Sequence, residues 1–444
     1  MPLDSIDFSG YFERMRILAI ASIVLLLIHS AAAKPLPWKY DFEVISGPRY
    51  VVNNDMIYCD KNDHIYMTLL LNFAENTDAY HARSTTIVIV SKDKGVSWQI
   101  SKRPWPGTLN NRSVLKDGTI VETGTHYWLR HPRTEIARLR KQGFYVWDLG
   151  EQRNYCAILH DMWVRQSSDN GKTWRAFPVH QQFGFFSRLA VNSPPRQSLL
   201  ADGTIVNFVH GYRAKSLNKA SDLGGTNAPY IIRSSDQGKT WQMIRMADGK
   251  KSPSPRGFNE IYPVVNANGK IFAMLRTAVG TQSYSVSSSD GGRTWTPARP
   301  TPILAKHPNP TVLRDGSIVC SYQRRYAKPF GVRARLTPDG GKSWNKEITL
   351  RDDLTIADGL VQPITVELSD GSLVTVFTGT KRLPTGGKRS FIGGSRWTRD
   401  QKAIAGIEVL RRKIKRRGIW TPKVALPPLK PRYNGGKVNQ SPWK

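Results

Sequence analysis

Short apolar runs, broken at near-regular intervals by glycine-containing turns, cover most of the chain. Thr86-Ile87-Val88-Ile89-Val90 is one such run, rich in β-branched residues and of strand length. Alternating runs also follow Asp117-Gly118, Asp202-Gly203, Asn268-Gly269, Asp315-Gly316 and Asp370-Gly371, with Asn62-Asp63-His64-Ile65-Tyr66 as a degenerate first copy. Asp-Gly or Asn-Gly ahead of such alternation marks a hairpin. Thr134-Glu135 to Gly143 reads as a helix inserted in the second unit. The pattern predicts an all-β chain.

A second repeat is interleaved with the first. Ser91-Lys92-Asp93-Lys94-Gly95-Val96-Ser97-Trp98 returns in related form at 167–174, 234–241, 288–295 and 337–344, always ending in tryptophan. Its Ser/Thr and Asp side chains suit hydrogen bonds to turn amides, and its glycine suits a positive φ. The five Asp residues therefore read as turn formers and the five Trp as packing residues. Six Asp-Gly-type turns against five octapeptides imply six sheet units. Residues 38–415 divided by six allow roughly 63 residues each, enough for four strands and their loops. The expected fold is a six-bladed β-propeller of four-stranded antiparallel blades, with the octapeptides at the outer hairpins of one rim.

Charge adds information about partners. Lys and Arg number 65 against 34 Asp and Glu, giving +31 over 444 residues and a pI near 10.2. The stretches 130–153 and 411–417 concentrate it, most simply as solvated faces. Arg14 and Arg16, the apolar run Ile17 to Ile28 and the exit Ala31-Ala32-Ala33 form a secretory signal pattern over 15–33, with a signal anchor as the alternative. No later stretch is apolar enough to span a bilayer. The expected location is secreted or periplasmic, with a basic extension over 416–444. Export and the absence of a nucleic-acid motif argue against DNA or RNA, and favour an anionic carbohydrate as partner of a monomer. Cys59, Cys156 and Cys320 lack metal-ligand spacing and are expected as free thiols; no metal or cofactor is implied.

The octapeptide resembles the Asp box of the sialidase superfamily, over roughly 38–400. Further likeness to bacterial exported exo-α-sialidase-like proteins lies in Asn192-Ser193-Pro194 before Leu199-Leu200-Ala201-Asp202-Gly203. Tyr322-Gln323-Arg324-Arg325, Pro329 to Arg335 and Leu350-Arg351-Asp352-Asp353 add to it. The resemblance implies arginines for a substrate carboxylate, an acid for the leaving oxygen, and a Tyr nucleophile activated by Glu, an exception among glycosidases.

Carried over residue by residue, Phe258-Asn259-Glu260-Ile261-Tyr262 with Arg276 resembles the segment bearing the Glu and the second binding Arg. A Glu260–Arg276 structural pair is the alternative. Arg324 or Arg325 resembles the third Arg, closing an inner strand. Arg49 is the counterpart of the first, with Arg196 and Arg213 as further candidates. Asp78, with His81 near it, falls on the loop that bears the acid. The resemblance breaks at the nucleophile: nine positions before Gly371 stands Gln362, which has no ionisable group, and Tyr322 is the remaining substitute. Three readings follow: a glycoside-processing enzyme acting on an anionic glycan, a non-catalytic glycan-binding propeller, and a cell-envelope interaction scaffold.

Overall fold

The computed structural model describes residues 38–402 and Arg412. Excepted are 48–50, 73–83, 103–111, 142–145, 149–150, 152–153, 179–185, 192–196, 214–225, 250–255, 267, 306, 355–361 and 383–387. The signal segment 15–33, Arg49, Asp78, His81, Arg196 and the extension 416–444 lie outside the described residues. Six antiparallel sheets form the blades of a propeller.

The first described strand is β1 (Lys39–Gly47). Blade I is β2 (Val51–Cys59), β3 (Ile65–Asn72), β4 (Ser84–Ser91) and β5 (Gln99–Ile100). Blade II is β6 (Arg112–Val114), β7 (Ile120–Pro132), β9 (Tyr155–Ser167) and β10 (Arg175–Pro178), with β8 (Val146–Asp148) paired to β9. The expected helix is present between β7 and β8 as a turn of 3-10 helix and α1 (Ile136–Lys141). In blade III, β11 (Phe186–Val191) and β12 (Ser198–Leu199) share the innermost place beside β13 (Ile205–Arg213), followed by β14 (Ala228–Ser234) and β15 (Gln242–Arg245).

Blade IV is β16 (Phe258–Val265), β17 (Ile271–Thr277), β18 (Gln282–Ser288) and β19 (Arg299–Leu304). Blade V is β20 (Asn309–Val312), β21 (Ile318–Arg324), β22 (Phe330–Thr337) and β23 (Ile348–Leu354). Blade VI takes β24 (Ile364–Glu367), β25 (Leu373–Arg382) and β26 (Lys388–Trp397) from the end of the chain and β1 from its beginning. The register runs from Lys39 opposite Trp397 to Gly47 opposite Ser390. This pairing closes the ring.

The core lies between blades. Tyr40, Phe42, Val44 and Ile45 of β1 pack with Ile65, Met67, Leu69 and Ile89 of blade I and with Val374 and Val376 of blade VI. Val121 and Val164 of blade II meet Ile205, Val209 and Ile232 of blade III. Each fully buried side chain of this kind contributes about 1.5–3 kcal/mol, so the ring is held by face-to-face blade packing.

The octapeptides occupy the outer hairpins as expected. In blade IV, Ser288 Oγ donates to Asp290 Oδ1 at 2.8 Å and accepts from Gly292 N at 2.8 Å. Asp290 also accepts from Thr294 N at 2.9 Å and Thr294 Oγ1 at 2.6 Å, while Trp295 Nε1 donates to the Gly292 carbonyl at 3.2 Å. These carboxylates are consumed by their turns. The hydroxyl of Thr173, with its amide, draws the exposed Asp169 down to about 2. That shift reports turn geometry rather than chemistry. Of the five Trp, Trp98 and Trp241 are buried between blades, while Trp174, Trp295 and Trp344 are half-buried. Trp174 instead carries the Arg165 guanidinium over its ring, 4.2 Å from the centroid.

Alternation of strand direction sorts the loops. Asp-Gly turns and octapeptides lie on one face of the disc. Starts of innermost strands and ends of second strands lie on the other.

Candidate functional site

That second face gathers the candidate residues. Glu260 stands near the start of β16 and Arg276 near the end of β17. Arg324 ends β21 with Arg325 next to it, and Gln362 lies two residues before β24. Because β21 is the second strand of its blade, Arg324 does not close an innermost strand as expected; β20 holds that place. Arg213 ends β13, the second strand of blade III.

Glu260 and Arg276 form an ion pair. The register between β16 and β17 shifts between Phe258 and Ile261, which bulges the strand at Glu260. Arg276 donates to Glu260 Oε1, and Tyr262 Oη donates to Glu260 Oε2 at 2.5 Å. His307 Nδ1 lies 2.7 Å from Tyr262 Oη and 3.5 Å from Glu260 Oε2. A phenol has one proton to give; with that proton directed at the Glu260 carboxylate, Tyr262 Oη accepts from His307 Nδ1. Tyr262 is fully buried, His307 nearly so, and the side chains of Glu260 and Arg276 retain 21% and 15% exposure. Burial pushes the Glu260 carboxyl up. Arg276, His307 and the hydrogen bonds from Tyr262 and Arg276 outweigh it, and the net shift is downward. Glu260 is a carboxylate at neutral pH, suited to act as a base or to balance a cation.

Blade V supplies a second acidic centre. Tyr322 Oη donates to Glu347 Oε2 at 2.7 Å, and Glu347 Oε1 lies 3.4 Å from Arg324 Nη1 and 3.5 Å from Arg333 Nε. Tyr322 and Arg333 are buried, and burial together with Glu347 raises the Tyr322 phenol far above its usual range. Tyr322 is therefore locked between blades and stays protonated, a poor substitute for the missing nucleophile. Next to Arg325, Tyr326 is 43% exposed with the guanidinium 5.9 Å from its ring centroid. Burial raises the Tyr326 phenol, opposed by the charges of Arg325 and Arg276. Tyr326 thus sits near cations of both blades.

Gln362 is buried at the start of blade VI. The following Pro363 carbonyl accepts from Ser321 Oγ at 3.1 Å, which fixes this turn against blade V.

Tyr262, His307 and Tyr326 escaped the sequence reading, although one signal for His307 was available. Glu260, His307 and Gln362 each stand nine positions before the glycine of their blade's Asp-Gly-type turn, Gly269, Gly316 and Gly371. Three consecutive blades thus present Glu, His and Gln at one repeat position. Tyr262, two residues after Glu260 on the same strand face, is given by strand periodicity. Nothing local marks Tyr326.

Among known proteins, a family described as BNR repeat-like domain matches residues 144–309, a span that includes Glu260, Arg276 and His307. Over that segment this chain is similar to BNR repeat-like domains, and its six antiparallel sheets make it a β-propeller. A protein of unknown function from Dyadobacter fermentans is 22% identical over 81% of this chain and 99% of its own, with a TM-score of 0.56, a likeness of fold. The Hadza microbial sialidase Hz136 is 15% identical over 77% of this chain, TM-score 0.44. Trypanosoma rangeli sialidase, solved with the inhibitor DANA, is 13% identical over 84%, TM-score 0.41. The alignments cover 65% and 57% of those two sialidase chains, less than two thirds of either. No curated protein matches the sequence.

Among the described residues, no three His, Cys, Asp or Glu side chains cluster as a metal site would require, and no helix is long and apolar enough to cross a membrane. Cys59, Cys156 and Cys320 are free thiols, and Cys320 lies on β21, a second strand.

Proposed function

We propose that this propeller is an exported glycan-processing protein that takes an acidic sugar at the face where Glu260, Arg276, Arg324 and Arg325 stand. One observation carries the reading: Glu260 is held ionised by Arg276 and His307 at a strand start, with further arginines and the exposed Tyr326 alongside. Arginines on that face suit a carboxylate or sulfate through charge-assisted hydrogen bonds, and Tyr326 offers a flat surface to a sugar ring. An ionised Glu260 suits removal of a proton from water or from a sugar carbon. By the sequence resemblance alone, proton donation to a leaving oxygen falls to Asp78 and Arg49 joins the cationic set, both outside the described residues. Export rests on the signal pattern over 15–33.

A second reading, binding without turnover, is favoured by Gln362. Gln362 has no ionisable group, Tyr262 and Tyr322 are buried, and burial raises the phenol of the exposed Tyr326, so a covalent tyrosyl intermediate is disfavoured.

Proton NMR of the protein mixed with sialyllactose and, separately, with oligogalacturonate tests both. We expect little or no release of sialic acid, and turnover or binding of an acidic sugar that depends on Glu260 and Arg276. Glu260→Gln should lower any turnover by about 10²–10⁴-fold while binding persists. Rapid sialic acid release through a trapped tyrosine adduct would overturn the argument from Gln362. Binding without products, lost in Arg276→Ala, would establish the second reading instead.

A further inference from the structure

On the opposite face, the hairpins of blades IV and V leave a cleft of about 780 Å³, within the roughly 300–1,000 Å³ of small-molecule sites. Phe272, Val286 and Ile318 give it an apolar floor. Trp295 lines it, half-buried, with its ring fixed by the indole N–H bond to the Gly292 carbonyl. Lys270, Arg299 and Lys342 also line it, all three exposed. Among the described residues no Asp or Glu forms an ion pair with any of the three, although the fold pairs many of its other cations. The carboxylate of the cleft, Asp339, is already occupied by Thr337 Oγ1 at 2.9 Å and by Ser343 N and Oγ at 2.9 and 2.6 Å.

Three uncompensated cations around a fixed indole call for an anion that also carries a flat, partly apolar body. Ser, Thr and Asn side chains also line the wall and match ring hydroxyls. An acidic peptide would satisfy the cations but leave the indole and hydroxyls without a matching surface. We infer that this cleft binds a stretch of an acidic oligosaccharide, with its charged groups on Lys270, Arg299 and Lys342 and one sugar ring against Trp295. It is an anchoring site, remote from Glu260, and does not depend on whether the Glu260 face performs chemistry.

The test titrates tetragalacturonate into the full protein and into the Lys270→Ala/Arg299→Ala/Lys342→Ala variant by calorimetry at low salt, with hydrogen exchange to locate the contact. All three positions are exposed, so the melting temperature should not move. The variant should bind about tenfold more weakly. Ligand should protect Asn266 to Phe272 and Ser285 to Thr296 in the wild type and not in the variant. The inference is overturned by equal affinity of the two proteins, by no binding to either, or by protection confined to the Glu260 strand. It is likewise overturned if uncharged galactotetraose binds as well as the uronate. Equal affinity for tetra-aspartate would replace it with a site for acidic peptides.

Discussion

At the scale of the residue, Glu260 illustrates how one carboxylate depends on its neighbours. Its desolvation is offset chiefly by Arg276 and His307. Removing Arg276 leaves a largely buried charge without its main partner, a change that costs about 3–5 kcal/mol when burial is complete and somewhat less here. Arg276→Ala should therefore lower the melting temperature clearly. Adding Glu260→Gln should restore part of the loss, because an amide can still accept the Tyr262 hydrogen bond. Additive losses in this double-mutant cycle would contradict the pair's coupling. The pH dependence has a definite sign. A carboxyl depressed on folding stabilises above its unfolded value, near 4.5, and loses that contribution as pH falls through its folded value. The stability difference between wild type and Glu260→Gln should fall as pH drops below the unfolded carboxyl value of about 4.5. A change confined to neutral pH would assign the titration to another group. The carboxylate and its arginine were legible from a resemblance of local sequence. Tyr262 follows from strand periodicity, but the contact with His307 was not legible: His307 comes from a different blade, and only the ring's curvature brings β16 against the turn before β20.

At the scale of the element, the octapeptide does two jobs with one glycine. Gly292 has a φ of 86°, and a Cβ there would stand 2.5 Å from Ile231 Cδ1 on the preceding blade. Gly316, in the Asp-Gly turn of blade V, has a nearly identical φ of 83° with nothing within 4 Å of the added carbon. The two positions separate backbone strain from packing. Gly316→Ala should cost only the left-handed penalty, about 1–2 kcal/mol. Gly292→Ala adds the overpacking of a buried isoleucine, about 1–3 kcal/mol more. Thermal melts of the pair measure the difference, and equal losses would mean that the octapeptide glycine is kept for its φ alone. The turn signal was visible in the sequence because each hydrogen bond that builds it closes within four residues. The inter-blade contact was not, since it joins Gly292 to a residue of another blade.

At the scale of the whole molecule, the mismatch of six turns and five octapeptides has a structural cause. An octapeptide joins the third and fourth strands of a blade, and blade VI obtains its fourth strand, β1, from the other end of the chain. No hairpin is needed there, so no sixth copy exists. The count of blades was readable from the turns. The closure was not, because Lys39 and Trp397 are paired across nearly the whole fold and no local pattern records it. Ionic contacts reinforce the junction. Lys94 of the first octapeptide lies 3.1 Å from Asp63 and 3.0 Å from Asp370, and Arg396 also binds Asp370. These are partly exposed, and the apolar contacts dominate. Tyr40, Phe42, Val44 and Ile45 are almost completely buried. At about 1.5–3 kcal/mol each they contribute about 6–12 kcal/mol, comparable with the about 5–15 kcal/mol that holds a typical domain together. Deleting residues 38–47 should therefore abolish the cooperative thermal transition and the near-ultraviolet circular dichroism of the packed aromatics. A synthetic peptide of residues 38–47 should restore both in proportion to its concentration, by adding a strand to the open edge of β26. A shortened chain that melts sharply without the peptide would show that the inter-blade packing holds the ring closed without β1.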